Sequence, residues 1–187
     1  MVFITRENNT QYALLGLLTI GCDTGYSMKQ MIDGSLNHFW KISYGQIYPT
    51  LKLLLDNGYA EVQDLAQEGK PDKKEYKITD EGTEALKRWL AQPITELPLE
   101  KNELLLKLFF SRHQDLESTH HHLENYQEKL VSRYETYEAI KEMITTRLSA
   151  EEDAPFWLIT LNYGLRTTQA AIDWCEETKE VLFHKEG

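Results

Sequence analysis

Tyr44, Gln46, Tyr48 and Lys52 bring together, within nine residues, the side-chain chemistries that suit a nucleic acid. The amide of Gln46 can donate to and accept from a base edge, while the phenols and the ammonium can meet phosphate oxygens. The stretch that carries them, Ser43 to Tyr59, predicts a helix with both ends marked. Ile47, Leu51, Leu54 and Leu55 fall at i, i+4, i+7 and i+8 and make one apolar stripe, and Gly45, Gln46, Pro49 and Lys52 point the other way. Ser43 followed by Gln46 fits the S-x-x-Q capping box, and Asn57-Gly58 supplies a left-handed stop. A capped helix with a small, polar and basic outer face is one that a major groove can accept. Pro49 removes one backbone hydrogen bond and predicts a local bend.

The elements that must position this helix flank it. Upstream, the apolar run Tyr12 to Ile20 is too short for a membrane span and predicts a buried first helix. Ser27 with Gln30 forms a second S-x-x-Q pair, expected to open a helix bearing Met28, Met31 and Ile32. Downstream, Ala60 to Leu65 predicts a strand in which Ala60, Val62 and Leu65 face inward. A turn of Gly, Pro and Lys follows through Lys74, and the strand resumes over Glu75 to Ile78. Lys70, Lys73 and Lys74 would form the basic tip of that hairpin. Thr79-Asp80-Glu81 starts another helix, with Leu86, Trp89 and Leu90 as its buried side. This is the order of a winged helix-turn-helix, in which Ser27 and Ser43 would present helix N-termini to backbone phosphate.

These residues resemble a known family. Tyr12-Ala13-Leu14-Leu15-Gly16-Leu17-Leu18, Gly25-Tyr26-Ser27, Gly45-Gln46-Ile47-Tyr48-Pro49-Thr50-Leu51, Gly58-Tyr59 and Tyr76-Lys77-Ile78-Thr79-Asp80-Glu81-Gly82 look like the successive landmarks of PadR-type transcriptional regulators. The second half is similar in length and helical character, and Ile172-Asp173-Trp174 is similar to the end of the long-form members. The resemblance implies a homodimeric bacterial winged-helix repressor or activator, in some cases released from DNA by a small aromatic or hydrophobic effector.

Charge argues in the other direction at first. The formal net charge is -10, where phosphate binding calls for a basic footprint. The acids are unevenly spread, however: residues 1–92 hold 10 Lys+Arg against 12 Asp+Glu, and residues 93–187 hold 10 against 18. Lys41, Lys52, Lys70, Lys73, Lys74 and Lys77 lie on or beside the predicted helix and wing, so a local positive face is compatible with the acidic total. Neither a charged-then-apolar leader nor a long apolar stretch occurs, so a cytoplasmic location without membrane insertion is expected. Two distant cysteines, Cys22 and Cys175, are expected to be reduced rather than paired.

Beyond the boundary at Gln92 to Pro98 every segment predicts helix. Leu99 to Ser111 carries Leu104, Leu105, Leu108 and Phe109. Leu116, Leu123, Leu130, Tyr137 and Ile144 recur every seven residues along Asp115 to Leu148. Leu158, Leu165 and Ile172, with Leu161, Thr168, Cys175 and Leu182, repeat the pattern to Phe183. Such spacing is a coiled-coil signal, satisfied either by an antiparallel pair inside one chain or by a second copy. The second copy is favoured, with Leu130, Tyr137, Leu158, Leu161, Leu165 and Ile172 in the seam. Phe156, Trp157, Tyr163 and Arg166 are candidates for an effector pocket, and Trp40 for a core anchor.

The histidines at 113 and 120–122 point in different directions and predict a solvated helix face, not a metal site. Neither a nucleophile with its base nor a dinucleotide or phosphate loop is present. No cofactor, metal or enzymatic activity is expected. The sequence therefore predicts a mainly α protein with a small β-hairpin, a winged helix-turn-helix over 1–92 and a helical dimerisation domain over 97–187. Its expected partners are a dyad-symmetric double-stranded operator, a second copy and a small effector, with repression as the outcome. A winged-helix module that binds proteins and never touches DNA is the alternative.

Overall fold

The leucines at 14, 15, 17 and 18 need cover on most sides of one short helix, and the first half of the fold is arranged to supply it. In the computed structural model, which describes residues 9–65, 73–97 and 100–183, they lie on α1, Thr10–Thr19. Around α1 are α2, Gly25–Gly34; α3, Tyr44–Asp56; the strands β1, Ala60–Leu65, and β2, Lys73–Ile78; and α4, Asp80–Leu90. One core joins α1 to Met28 and Ile32 of α2, Ile47, Leu51 and Leu54 of α3, and Ala60 and Tyr76 of the hairpin. Trp40 is half-exposed and does not anchor this core; Ile42 is the buried residue of the segment that leads into α3.

The capping chemistry moves one predicted boundary. Helix α2 opens at Gly25, not at Ser27, because Thr24 is the cap: its Oγ1 accepts from the Ser27 amide and its own amide donates to Ser27 Oγ, both at 3.0 Å. Ser27 is thus the third residue of the helix, with its hydroxyl already engaged. Helix α3 behaves as expected at both ends, with the Ser43–Gln46 capping box closed and Gly58 at φ 71°. It runs through Pro49 as one helix.

Antiparallel pairing sets Ala60 against Ile78 and Leu65 against Lys73, so Lys73 and Lys74 belong to β2 and not to the turn. Opposite charges face each other across the ladder, Asp64 with Lys74 and Glu61 with Lys77, which favours the longer strand. Tyr76 donates its amide to the Asp23 carbonyl at 2.7 Å and ties β2 to the segment before α2. Val62 is half-exposed although Tyr76 opposite it is buried, so Ala60 is the covered residue of β1 among those whose side chains are described.

Helix α4 starts at the Thr79 cap and buries Gly82 and Ala85, with Trp89 stacked on Tyr12 at 4.8 Å. Leu90 is exposed, since the buried arc runs through positions 82, 85 and 89. The α4 start is locked to the end of α3: Thr79 Oγ1 donates to Gly58 O at 2.7 Å and the Thr79 amide to Tyr59 O at 3.1 Å.

The chain divides into two units between Leu97 and Pro98. In the second, α5, Glu103–Phe109, precedes a 3-10 turn at Ser111–His113 and the long helices α6, Leu116–Arg147, and α7, Ala154–Phe183. The long helices run antiparallel. The His120 ring meets Phe183 at 4.8 Å, Gln127 bonds Glu176 and Lys179 at 3.0 and 2.5 Å, and Tyr137 packs over Gly164. Leu123, Leu130, Tyr137 and Ile144 of α6 are buried, as are Leu165, Thr168, Ile172 and Cys175 of α7.

Part of the expected dimer seam is already covered inside one chain. Leu130, Tyr137, Leu165 and Ile172 are covered within one chain, and Leu158 and Leu161 are half-covered, because α7 folds back on α6 and the two stripes satisfy each other. Leu116 is exposed because α6 begins a turn before the His120–Phe183 contact, and Leu182, although on the stripe, is exposed where the α6–α7 pairing ends. In α5 only Leu104 is buried; Leu105 and Phe109 are exposed, and Leu108 is half-buried.

A Cβ on Gly82 would stand 2.0 Å from the Tyr59 carbonyl oxygen, a backbone atom that cannot swing aside. Gly82→Ala is expected to lower the unfolding free energy by about 1–3 kcal/mol through overpacking, measured by urea denaturation. An unchanged midpoint would show that the α3–α4 junction is looser than this contact requires.

Candidate nucleic-acid interface

The apolar stripe of α3 decides which of its side chains meet solvent. With Ile47, Thr50, Leu51 and Leu54 buried, Ser43, Tyr44, Gln46, Tyr48 and Lys52 are all exposed on the outer side. Gln46 lies in the first turn, where a recognition helix places its base contacts. Its Oε1 accepts from the Ser43 amide at 2.8 Å and from the Ser43 hydroxyl at 2.9 Å.

Tyr44 and Tyr48 meet edge to face at 5.7 Å. A hydrogen bond to Tyr44 pushes the Tyr48 phenol above the usual tyrosine range, with burial adding to it. A raised phenol pKa means that the neutral Tyr48 O–H is favoured. Gly25 makes room for this arrangement: a Cβ there would lie 2.8 Å from the Tyr48 ring and hydroxyl.

Helix α2 contributes residues that sequence reasoning missed. Lys29 holds its ammonium 5.8 Å from the Tyr44 ring centroid and 3.9 Å from Asp33, and Gln30 donates to the Tyr26 hydroxyl at 3.1 Å. The signal was available, because burying Met28 and Ile32 turns Tyr26, Lys29 and Gln30 outward. Ser27 is half-buried inside the first turn of α2. On the wing, Lys74 is exposed opposite Asp64, and Lys73 pairs with Leu65 in the ladder. Lys70 lies outside the described residues.

The effector candidates are not enclosed. Phe156, Tyr163 and Arg166 stand exposed on the outer face of α7, and Trp157 is half-buried. Two shallow concavities of the described surface are lined by Tyr59, Asp80, Glu81, Glu84 and Arg88, and by Leu106, Lys107, Phe110, His113 and Gln114. Neither includes the α7 aromatics. His120, its ring against Phe183, pairs with Glu124 at 3.2 Å, and no group of three metal-ligating side chains occurs among the described residues. Among them, too, no helix is long and apolar enough to cross a membrane.

Three helices with a two-stranded wing, and an exposed polar helix face beside it, define a winged helix-turn-helix protein. Residues 14–88 match the PadR-like family of transcriptional regulators, and residues 100–182 match the family described as Virulence activator alpha C-term. The negative transcriptional regulator PadR of Bacillus subtilis is 32% identical over 172 residues, covering 89% of this chain and 93% of that protein. The chain belongs to the PadR family of transcriptional regulators, whose members are not enzymes. The probable transcriptional regulator Rv1176c of Mycobacterium tuberculosis is 28% identical over 184 residues, covering 93% of this chain and 97% of its own. The crystal structure of Bacillus subtilis PadR with operator DNA superposes with a TM-score of 0.82 at 26% identity, over 92% of this chain and 98% of that one. The same protein solved with p-coumaric acid gives 0.75 at 24% identity, over 92% and 94%.

The Tyr48–Tyr44 bond has a testable sign. Because the folded pKa of Tyr48 is raised, its stabilising contribution is present below the ordinary tyrosine pKa and is lost as pH rises through the raised value. Tyr44→Phe removes the hydrogen-bonding phenol, so the Tyr48 transition in an ultraviolet titration is expected to move down. A titration that does not change would mean that the pair is not bonded in solution.

Proposed function

We propose that the chain is a homodimeric repressor that holds a dyad-symmetric operator with one copy of α3 in each of two successive major grooves. The observation that carries this is the α3 face itself: the polar first turn is exposed because the opposite stripe is buried to completion. Its likeness to a negative regulator, and to that regulator's structure on operator DNA, supports the same reading. Residues 1–92 would form the DNA-binding domain, with Gln46 at a base edge. Tyr44, Tyr48, Lys52, Ser43, Ser27 and the wing lysines Lys70, Lys73 and Lys74 would lie toward phosphates. Residues 97–187 would dimerise and sense the effector, and the protein would work in the cytoplasm.

The dimer contact is assigned to side chains that the α6–α7 pair leaves uncovered. Phe156, Ile159 and Tyr163 are 64, 68 and 71% exposed and fall at i, i+3 and i+7 on one face of α7. A second copy would bury them and bring two reading helices into phase with one turn of DNA. A small aromatic or hydrophobic effector, of the kind that Bacillus subtilis PadR has been solved with, would then lie between Trp157, Arg166 and the partner.

Full-length protein on a duplex selected from random DNA is expected to bind as two chains per site, with affinity falling steeply as salt rises. Lys52→Ala should weaken selected and scrambled DNA alike and reduce the salt slope by about one. A monomer on the selected site in sedimentation, or equal affinity for both duplexes in wild type, would overturn the reading.

A phenolic acid is expected to weaken operator binding by about 5–150-fold, and operator to weaken the acid by the same factor. Trp157→Ala should abolish the quenching of tryptophan emission and this response while leaving affinity for free operator intact. No quenching and no change in affinity across a panel of phenolic acids would remove the effector from the account.

A further inference from the structure

Gln46 is held by two functions at once, and the cap restricts how it can read. A backbone amide can only donate, so the 2.8 Å contact from the Ser43 amide fixes the orientation of the Gln46 carboxamide: oxygen toward the cap, nitrogen away from it. The Ser43 hydroxyl donates to the same oxygen at 2.9 Å, which occupies both of its lone pairs. What remains for a ligand is Nε2, with two N–H donors. The residue is exposed, and it is the third position of α3.

We infer that Gln46 reads guanine in the major groove, as a donor-only side chain facing O6 and N7, and that Ser43 sets this preference by retaining the amide oxygen. The inference rests on α3 being the reading helix. A glutamine that pairs with adenine must both accept from N6 and donate to N7, and the capped carboxamide has no free acceptor. Cytosine offers only its N4 donor there and is rejected for the same reason. Guanine presents two acceptors in line with two N–H groups; thymine, with O4 alone, is the weaker match. Adopting the adenine geometry would uncap the first turn of α3, and that cost falls on the wrong base.

Two substitutions separate reading from capping. Gln46→Glu keeps an oxygen for the Ser43 amide and hydroxyl but has no N–H, so thermal stability should hold or rise. Its affinity for the site selected by wild type should fall roughly tenfold or more, and a fresh selection should exchange guanine for cytosine at one position per half-site. Gln46→Ala should lose stability and preference together. Replacing the assigned guanine by 7-deazaguanine should weaken wild type and leave Gln46→Ala unaffected.

Wild-type affinity and specificity in Gln46→Glu would overturn the inference and leave Gln46 a cap alone, with the DNA-binding reading intact. An adenine at the contacted position whose N6 and N7 both matter would overturn it as well. Failure of wild type to enrich any sequence would instead overturn the DNA-binding reading and this inference together.

Discussion

The burial of one face of α3 against α1 is the constraint on which the functional surface depends. Ile47, Leu51 and Leu54 have next to no exposure and share a core with Leu14, Leu15 and Leu18. At about 1.5–3 kcal/mol for each fully buried aliphatic side chain, this stripe outweighs any single polar contact on the helix. It therefore sets the rotation of α3 about its axis. Once that rotation is set, Tyr44, Gln46, Tyr48 and Lys52 face solvent whatever the polar groups prefer, and Gly25 gives the Tyr48 ring its place.

A second layer of constraint holds the wing. A two-stranded hairpin is marginal by itself, so its position comes from what grips its base. Asp23 takes the Tyr76 amide on one side, and Gly58, Tyr59, Thr79 and Gly82 interlock on the other. Gly58 supplies the left-handed turn that ends α3, and Gly82 lets the α4 backbone approach the Tyr59 carbonyl. The wing is thereby referenced to the segment after α1 and to the end of α3, the helix that carries the exposed polar face.

In the C-terminal unit the same physics gives a different kind of result. A stripe repeating every seven residues states that a helix needs a partner, but says nothing about whose chain supplies it. The 148–154 connection turns α7 back along α6, and effective concentration within one chain favours the internal pair. Tyr137 can lie on α7 because position 164 is glycine. Phe156, Ile159 and Tyr163 are left over on the outer face of α7, and Leu105, Leu106 and Phe109 on α5.

By itself the sequence determined most of the elements and both ends of α3. The capping box at Ser43 and Gln46, the stop at Asn57-Gly58, the period of Ile47, Leu51 and Leu54, and the cap at Thr79 are local signals between residues a turn or two apart. They need no contact with residues distant in the chain. Tertiary structure decided what depends on neighbours distant in sequence. It moved the α2 cap from Ser27 to Thr24, because both serve equally in a local pattern and only Thr24 is extended where the chain leaves α1. It drew Lys73 and Lys74 into β2 through pairing across the hairpin, and it placed Lys29 beside Tyr44 by packing α2 on α3. It also consumed the heptad leucines inside one chain, since a periodic stripe carries no label for its partner and the fold-back of α7 supplies one.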